Sequence, residues 1–186
     1  MKSSRFSLTV LLVESVAIFC SVLLAFAAEQ WREDINERKR TGEALNLIKA
    51  ELQLNLDELQ AVVETRQEML DTYIEALSTL VDTGSFPADI KNFAIPNITN
   101  LAYQLATDSG AVTSVDPQDL LIVARAYEAL NNVRANENFL NTRNAQIRYQ
   151  DGEQYLSGFI YYANRSLLAE PEAIAVVEMA IERLEK

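Results

Sequence analysis

Phe6 to Ala28, FSLTVLLVESVAIFCSVLLAFAA, is the stretch on which the reading of this chain turns. It holds 23 residues and one ionisable side chain, Glu14. A helix of that length rises roughly 34 Å, enough to cross the ~30 Å hydrocarbon core of a bilayer. The stretch therefore reads as a transmembrane helix. Residues 1–5 form a short basic tail before it, and residues 29–186 form a soluble α-helical domain after it.

The span has two kinds of surface. Leu8, Leu11, Leu12, Phe19, Val22, Leu23 and Phe26 are bulky and suit lipid. Ser7, Glu14 and Ser21 recur at seven-residue spacing, and Ala17, Ala25 and Ala28 join their line. Small and hydroxyl residues let membrane helices approach closely, where packing and interhelical hydrogen bonds replace the hydrophobic drive. An acidic residue near the middle of a span costs roughly 2.5–3.5 kcal/mol on insertion scales and usually faces protein or a water cavity. Ser7, Glu14, Ala17 and Ser21 are thus the expected membrane-helix contact. A protonated Glu14 bonded within a lone helix is the plainer alternative. Trp31 sits where headgroups begin, as an interfacial anchor does.

Two processing routes compete with a retained anchor. Lys2 and Arg5 precede the apolar run, and Ala25-Phe26-Ala27 has the small-residue spacing that signal peptidase reads. The run is long for a signal core, and Glu14 interrupts it. Cys20 is a weaker lipoprotein candidate because Phe19 stands where a small residue is wanted.

Glu14, Gln30-Trp31 and the charged run from Arg32 to Arg38 resemble a group of bacterial single-pass inner-membrane proteins with no assigned activity. Those proteins pair an acidic residue in the span with a Trp at its far edge and a charged helical stretch beyond. The resemblance covers about the first 60 residues, through Leu45, Ile48, Glu51, Leu52, Asn55 and Leu56. It implies a Gram-negative inner membrane and no activity.

The formal net charge is -11, from 27 acidic and 16 basic residues. That excess argues against nucleic acid, whose phosphates need a basic footprint, and against a domain lying flat on anionic lipid. One Cys, within the span, permits no internal disulfide. Five Gly and four Pro leave little turn-rich material.

No breaker separates Ala28 from the mixed-charge stretch Glu29–Arg40, so one helix is expected to leave the membrane unbroken. From Thr41 to Val81, Leu45, Ile48, Leu52, Leu56, Leu59, Val63, Leu70, Ile74, Leu77 and Val81 step by three and four. That spacing predicts an amphipathic helix with one gap at Arg66-Gln67. Glu51, Asp57, Glu58, Glu64, Glu68, Asp71 and Glu75 are expected on a solvated acidic face. Gly84 is placed as a C-cap, before Phe86-Pro87. Phe86, Ile90, Phe93 and Ile95 lie in a loop and are available to tuck under the bundle. Asn97 or Thr99 is expected to cap a short helix through Ala106, closed by Ser109-Gly110.

Asp116-Pro117 is a strong helix start. The helix it opens carries Leu120, Val123, Tyr127 and Leu130, then becomes Asn-rich, and because Asn is a mediocre helix former a kink or frayed surface is expected there. Asp151-Gly152 marks a break. Tyr155, Leu156, Phe159, Ile160, Ala163 and Leu167 predict another helix, and Pro171 is expected to start a last one. The late tyrosines read as core with outward hydroxyls. The fold class is all-α: a single N-terminal transmembrane helix continuing into a long helix that packs in an antiparallel helical bundle.

The chain has no His. That removes Ser-His-Asp and Cys-His arrangements, His-based zinc sites and the Glu-x-x-His pairs of di-iron bundles. No glycine-rich phosphate loop is present. No catalytic residue, cofactor or metal ligand is expected. The sequence therefore favours a non-enzymatic interaction or scaffold protein that binds copies of itself or a membrane partner. A ligand-sensing bundle without its own output domain and an accessory subunit of a transport complex are the alternatives. The Lys/Arg count around the span slightly favours a cytoplasmic domain, while the short basic tail of a signal-anchor favours the periplasm. The periplasm is the preferred reading.

Overall fold

A computed structural model describes residues 8–87, 90, 94–146 and 151–185. Five helices follow in order: α1 (Leu8–Val63), α2 (Arg66–Thr83), α3 (Leu101–Asp108), α4 (Pro117–Gln146) and α5 (Gly152–Leu184). All regular structure among the described residues is helical.

α1 runs 56 residues without interruption, about 84 Å at 1.5 Å per residue. Among the described residues it is the one helix long and apolar enough to cross a membrane, and the apolar part is wholly exposed. Its first buried side chain is Ala44, and Ile48, Leu52, Leu56 and Leu59 follow at the expected spacing. The stretch expected as one helix to Val81 breaks at Glu64-Thr65. There both the Thr65 N–H and its hydroxyl donate to the Val62 carbonyl, at 3.2 and 2.9 Å, a tight local turn that competes with the α-helical ladder. The core stripe also shifts beyond the break. Tyr73 and Ala76 are buried, while Ile74 and Val81 stand exposed, because the break resets the helical phase.

α5 packs antiparallel to both α1 and α2. Lys49 meets Glu185, Gln60 meets Glu178, Arg66 meets Glu170, Tyr73 stacks on Phe159, and Leu80 lies beside Gly152. From Lys49 to Leu80 the first pair of helices climbs 31 residues while α5 descends 33, from Glu185 to Gly152. α4 and α5 form a second antiparallel hairpin, pinned at one end by Arg183 on Asp119 at 2.5 Å and near the other by Phe139 against Tyr161.

Between α2 and α4 the chain returns along α1. Ala94 lies at Arg66, Asn97 at Glu58, Thr99 at Asn55, Ala102 at Glu51 and Ser109 at Arg40. Five extended residues rise about 17 Å, and eleven helical residues rise about the same, so residues 94–99 keep pace with α1 from Arg66 back to Asn55. The bundle is thus up, down, up, down, and its second limb is an extended strap ending in short α3. The buried residues form two apolar clusters. A larger one surrounds Leu52, Val123, Leu130 and Val177, and a smaller one surrounds Tyr73, Leu156, Phe159 and Tyr162.

Gly84 is left-handed (φ 69°) and its N–H bonds the Leu80 carbonyl, the expected C-cap. The Asp116 carboxylate accepts from the Gln118 N–H at 2.7 Å at the head of α4. Asp151 precedes α5 as expected. Pro171 does not start a helix. It lies inside α5, which is continuous from Gly152 to Leu184, and the residue before it, Glu170, is locked to Arg66 in the core. Ile90 and Ile95 pack on the smaller cluster, Phe86 reaches Tyr155, and Phe93 lies outside the described residues.

Candidate functional site

The expected membrane contact lies along α1. Every described side chain from Leu11 to Arg40 is exposed. Glu14, Ala17 and Ser21 share one side of the helix by their spacing of three and four, while Ser7 lies outside the described residues. The Ser21 hydroxyl donates to the Ala17 carbonyl at 2.8 Å, and Ser15 does the same to Leu11. Both hydroxyls are therefore satisfied within α1, which leaves Glu14 as the group on this side with most to gain from an outside donor. Trp31 is 69% exposed one turn before Ile35, and Arg32 pairs with Glu29 at 2.6 Å beside it. The amphipathic ring thus sits where the apolar surface gives way to charge.

Behind this helix lie two buried polar clusters. The first is built on Glu51, expected on a solvated face but only 7% exposed. Its carboxylate accepts from the N–H groups of Ala102 (2.9 Å) and Tyr103 (3.4 Å), the Thr99 hydroxyl (3.3 Å) and the Tyr127 hydroxyl (2.6 Å). Ala102 and Tyr103 carry two of the donors that the first turn of α3 leaves unpaired. Asn100, at the N-cap position, makes no side-chain cap bond, and neither Asn97 nor Thr99 occupies that position. Glu51 caps α3 from the neighbouring helix, where its charge also suits the positive end of the helix dipole. Asn55, one turn on, pairs with the Thr99 backbone through both its amide groups, at 2.8 and 2.9 Å. Burial, then the Glu51 hydrogen bond, pushes the Tyr127 hydroxyl far above its ordinary value.

The second cluster is Arg66 with Glu170, both at 0% side-chain exposure. Arg66 Nε lies 2.8 and 3.0 Å from the two carboxylate oxygens, and a terminal nitrogen lies 2.6 Å from Oε1. The other terminal nitrogen donates to the Ala94 carbonyl at 2.5 Å, which ties the strap to the pair. The guanidinium stands 6.0 Å from the Tyr162 ring centroid. The pair lies between the two apolar clusters and sits where the Glu64-Thr65 break faces Pro171. Nearby, burial and then Tyr155 push the Tyr73 hydroxyl up to about 12.

Sequence reasoning missed both clusters, because charge at a core interval reads as a sign of solvent. Glu51 and Asn55 fall between Ile48, Leu52 and Leu56 at core intervals, and Arg66 falls where the stripe was expected to have a gap. Ala163, Ser166, Glu170, Ala173 and Val177 form one three-four series, all buried. Two opposite charges at core positions of facing helices are the signal that Arg66 and Glu170 carry.

An open cleft of about 350 Å³ lies between α1 and the loop after α3, lined by Glu33, Asn36, Glu37, Arg40 and Thr113. The Ser114 hydroxyl bonds Glu37 at its rim. Among the described residues, no group of three or more His, Cys, Asp and Glu is placed to hold a metal ion. Among the described residues these charged groups are either paired in the core or open to solvent. No protein-family model, curated protein or solved structure matches the chain.

Proposed function

We propose that this chain is a membrane-anchored helical interaction protein: α1 crosses the bilayer once, and the bundle is carried as a rigid extension of the same helix. The span lies in a bacterial inner membrane, with the bundle on the periplasmic side. Its work is association, with copies of itself or with a membrane partner, and not chemistry. The observation that supports this reading is the exposed apolar half of α1, continuous with a helix whose other half is core. Apolar side chains from Leu11 to Phe26 stand 47–70% exposed, a surface that water does not tolerate at this length.

The test is extraction. The intact chain should stay in membranes through carbonate and high-salt washing, because a spanning helix is held by hydrocarbon and not by charge. Release of a soluble chain beginning near Ala28 would overturn the anchor. Protease added to spheroplasts should digest the bundle, and full protection would place it in the cytoplasm.

A further inference from the structure

Four leucines outside the span remain more than half exposed on one surface of the bundle. Leu47 and Leu54, one heptad apart on α1, are 56% and 62% exposed, and Leu101 and Leu105 on α3 are 70% and 64% exposed. α3 runs antiparallel beside α1, so Leu105 falls next to Leu47 and Leu101 next to Leu54. Leu47 and Leu105 line a shallow groove of about 180 Å³ between the two helices. A contiguous apolar patch of this kind marks an interaction surface.

We propose that the patch is covered by the same patch of a second copy, in a parallel two-fold dimer that also uses the Glu14 side of the span. This rests on the anchored reading above. Three observations choose this occupant. Leu47 lies 19 residues beyond Ala28, about 28 Å up an upright helix, so lipid does not reach it. Glu14 and Leu54 are 40 residues apart on one unbroken helix, eleven turns plus about 40°, so both point to nearly the same side. A stable interface needs about 800 Å² per partner, more than four leucines supply. A partner that also carries a parallel span extends the contact down α1. The charge on this side agrees: between span and patch it carries Glu29, Arg32, Lys39, Arg40 and Glu43, two acids and three bases, on a chain of net charge -11. A copy approaching here avoids the acidic surplus and can meet opposite charges across the two-fold.

The test is oxidative crosslinking in carbonate-washed membranes, using the full chain with Cys20→Ser to remove the native thiol. A two-fold axis along this side of α1 brings equivalent residues together. Leu47→Cys and Leu54→Cys should therefore give a disulfide dimer, and Leu168→Cys, 76% exposed on α5, should give none above background. Adding Leu101→Lys to Leu54→Cys should remove the dimer band. No dimer at either α1 position, equal dimer at Leu168→Cys, or a band of heterologous size overturns the second copy while the anchor stands. Loss of the chain from the washed membranes overturns the anchor itself.

Discussion

Arg66 and Glu170 meet in a two-point contact at zero exposure, and what each would become alone decides what they are worth. Removing one partner of a buried pair leaves a charge without compensation, at a cost of about 3–5 kcal/mol, whereas replacing both by apolar groups is often neutral. Arg66→Met should therefore lower stability by about that amount in chemical denaturation of the detergent-solubilised protein. Arg66→Met with Glu170→Leu should recover most of it. A loss below ~1 kcal/mol in the single variant would mean that Glu170 finds water or another donor. This pair also shows the limit of reading single residues. Arg66 falls on the apolar stripe, yet charge alone argues for a gap. Only the matching acid 104 positions later, on a helix whose partner is set by topology, turns it into core. Glu51 was hidden for the same reason: its four donors come from segments that no local pattern places beside it.

At the scale of elements, two helical glycines have opposite surroundings. Gly42 lies mid-helix in α1, and a Cβ there would meet nothing within 4 Å. Gly152 opens α5, and a Cβ there would come 2.8 Å from Phe86 Cδ2 and 3.1 Å from Leu80 Cδ2. Gly42→Ala should stabilise by about 0.5–1 kcal/mol through helix propensity. Gly152→Ala gains the same propensity but must push Phe86 and Leu80 aside, so it should destabilise by about 1–3 kcal/mol. Thermal melts of both variants against the parent check the signs. A stabilising Gly152→Ala would show that the loop ring swings away freely. Most elements were legible from caps and spacing: the unbroken α1, the Gly84 cap, the Asp116-Pro117 start and the Asp151-Gly152 break. Pro171 was misread because a proline ordinarily begins or ends a helix. Here tertiary contacts on both sides, Glu170 on Arg66 and Ala173 in the core, hold α5 together across it.

At the scale of the molecule, α1 makes its exposed apolar segment and the bundle one mechanical object. Its 56 residues carry no break, and the strap, α3 and α5 all pack against its upper half. Rotation of the lower half is therefore rotation of the whole bundle, and this links the Glu14 side of the apolar segment to the leucine patch. An α-helix turns about 100° per residue, so two alanines inserted between Gln30 and Trp31 would turn the patch by about 200° relative to the span. Seven inserted residues turn it by about 700°, within roughly 20° of the starting phase, and lift both copies equally. Bundles paired on one continuous side of α1 should lose the Leu54→Cys disulfide with the two-residue insertion and regain it with the seven-residue one. Membrane retention should not change in either. Equal crosslinking in all three chains would show that the bundles find each other without regard to the span, and the single continuous interface would be wrong. Loss in both insertions would also count against it, because two copies lifted equally keep their mutual height and, with seven residues, their phase.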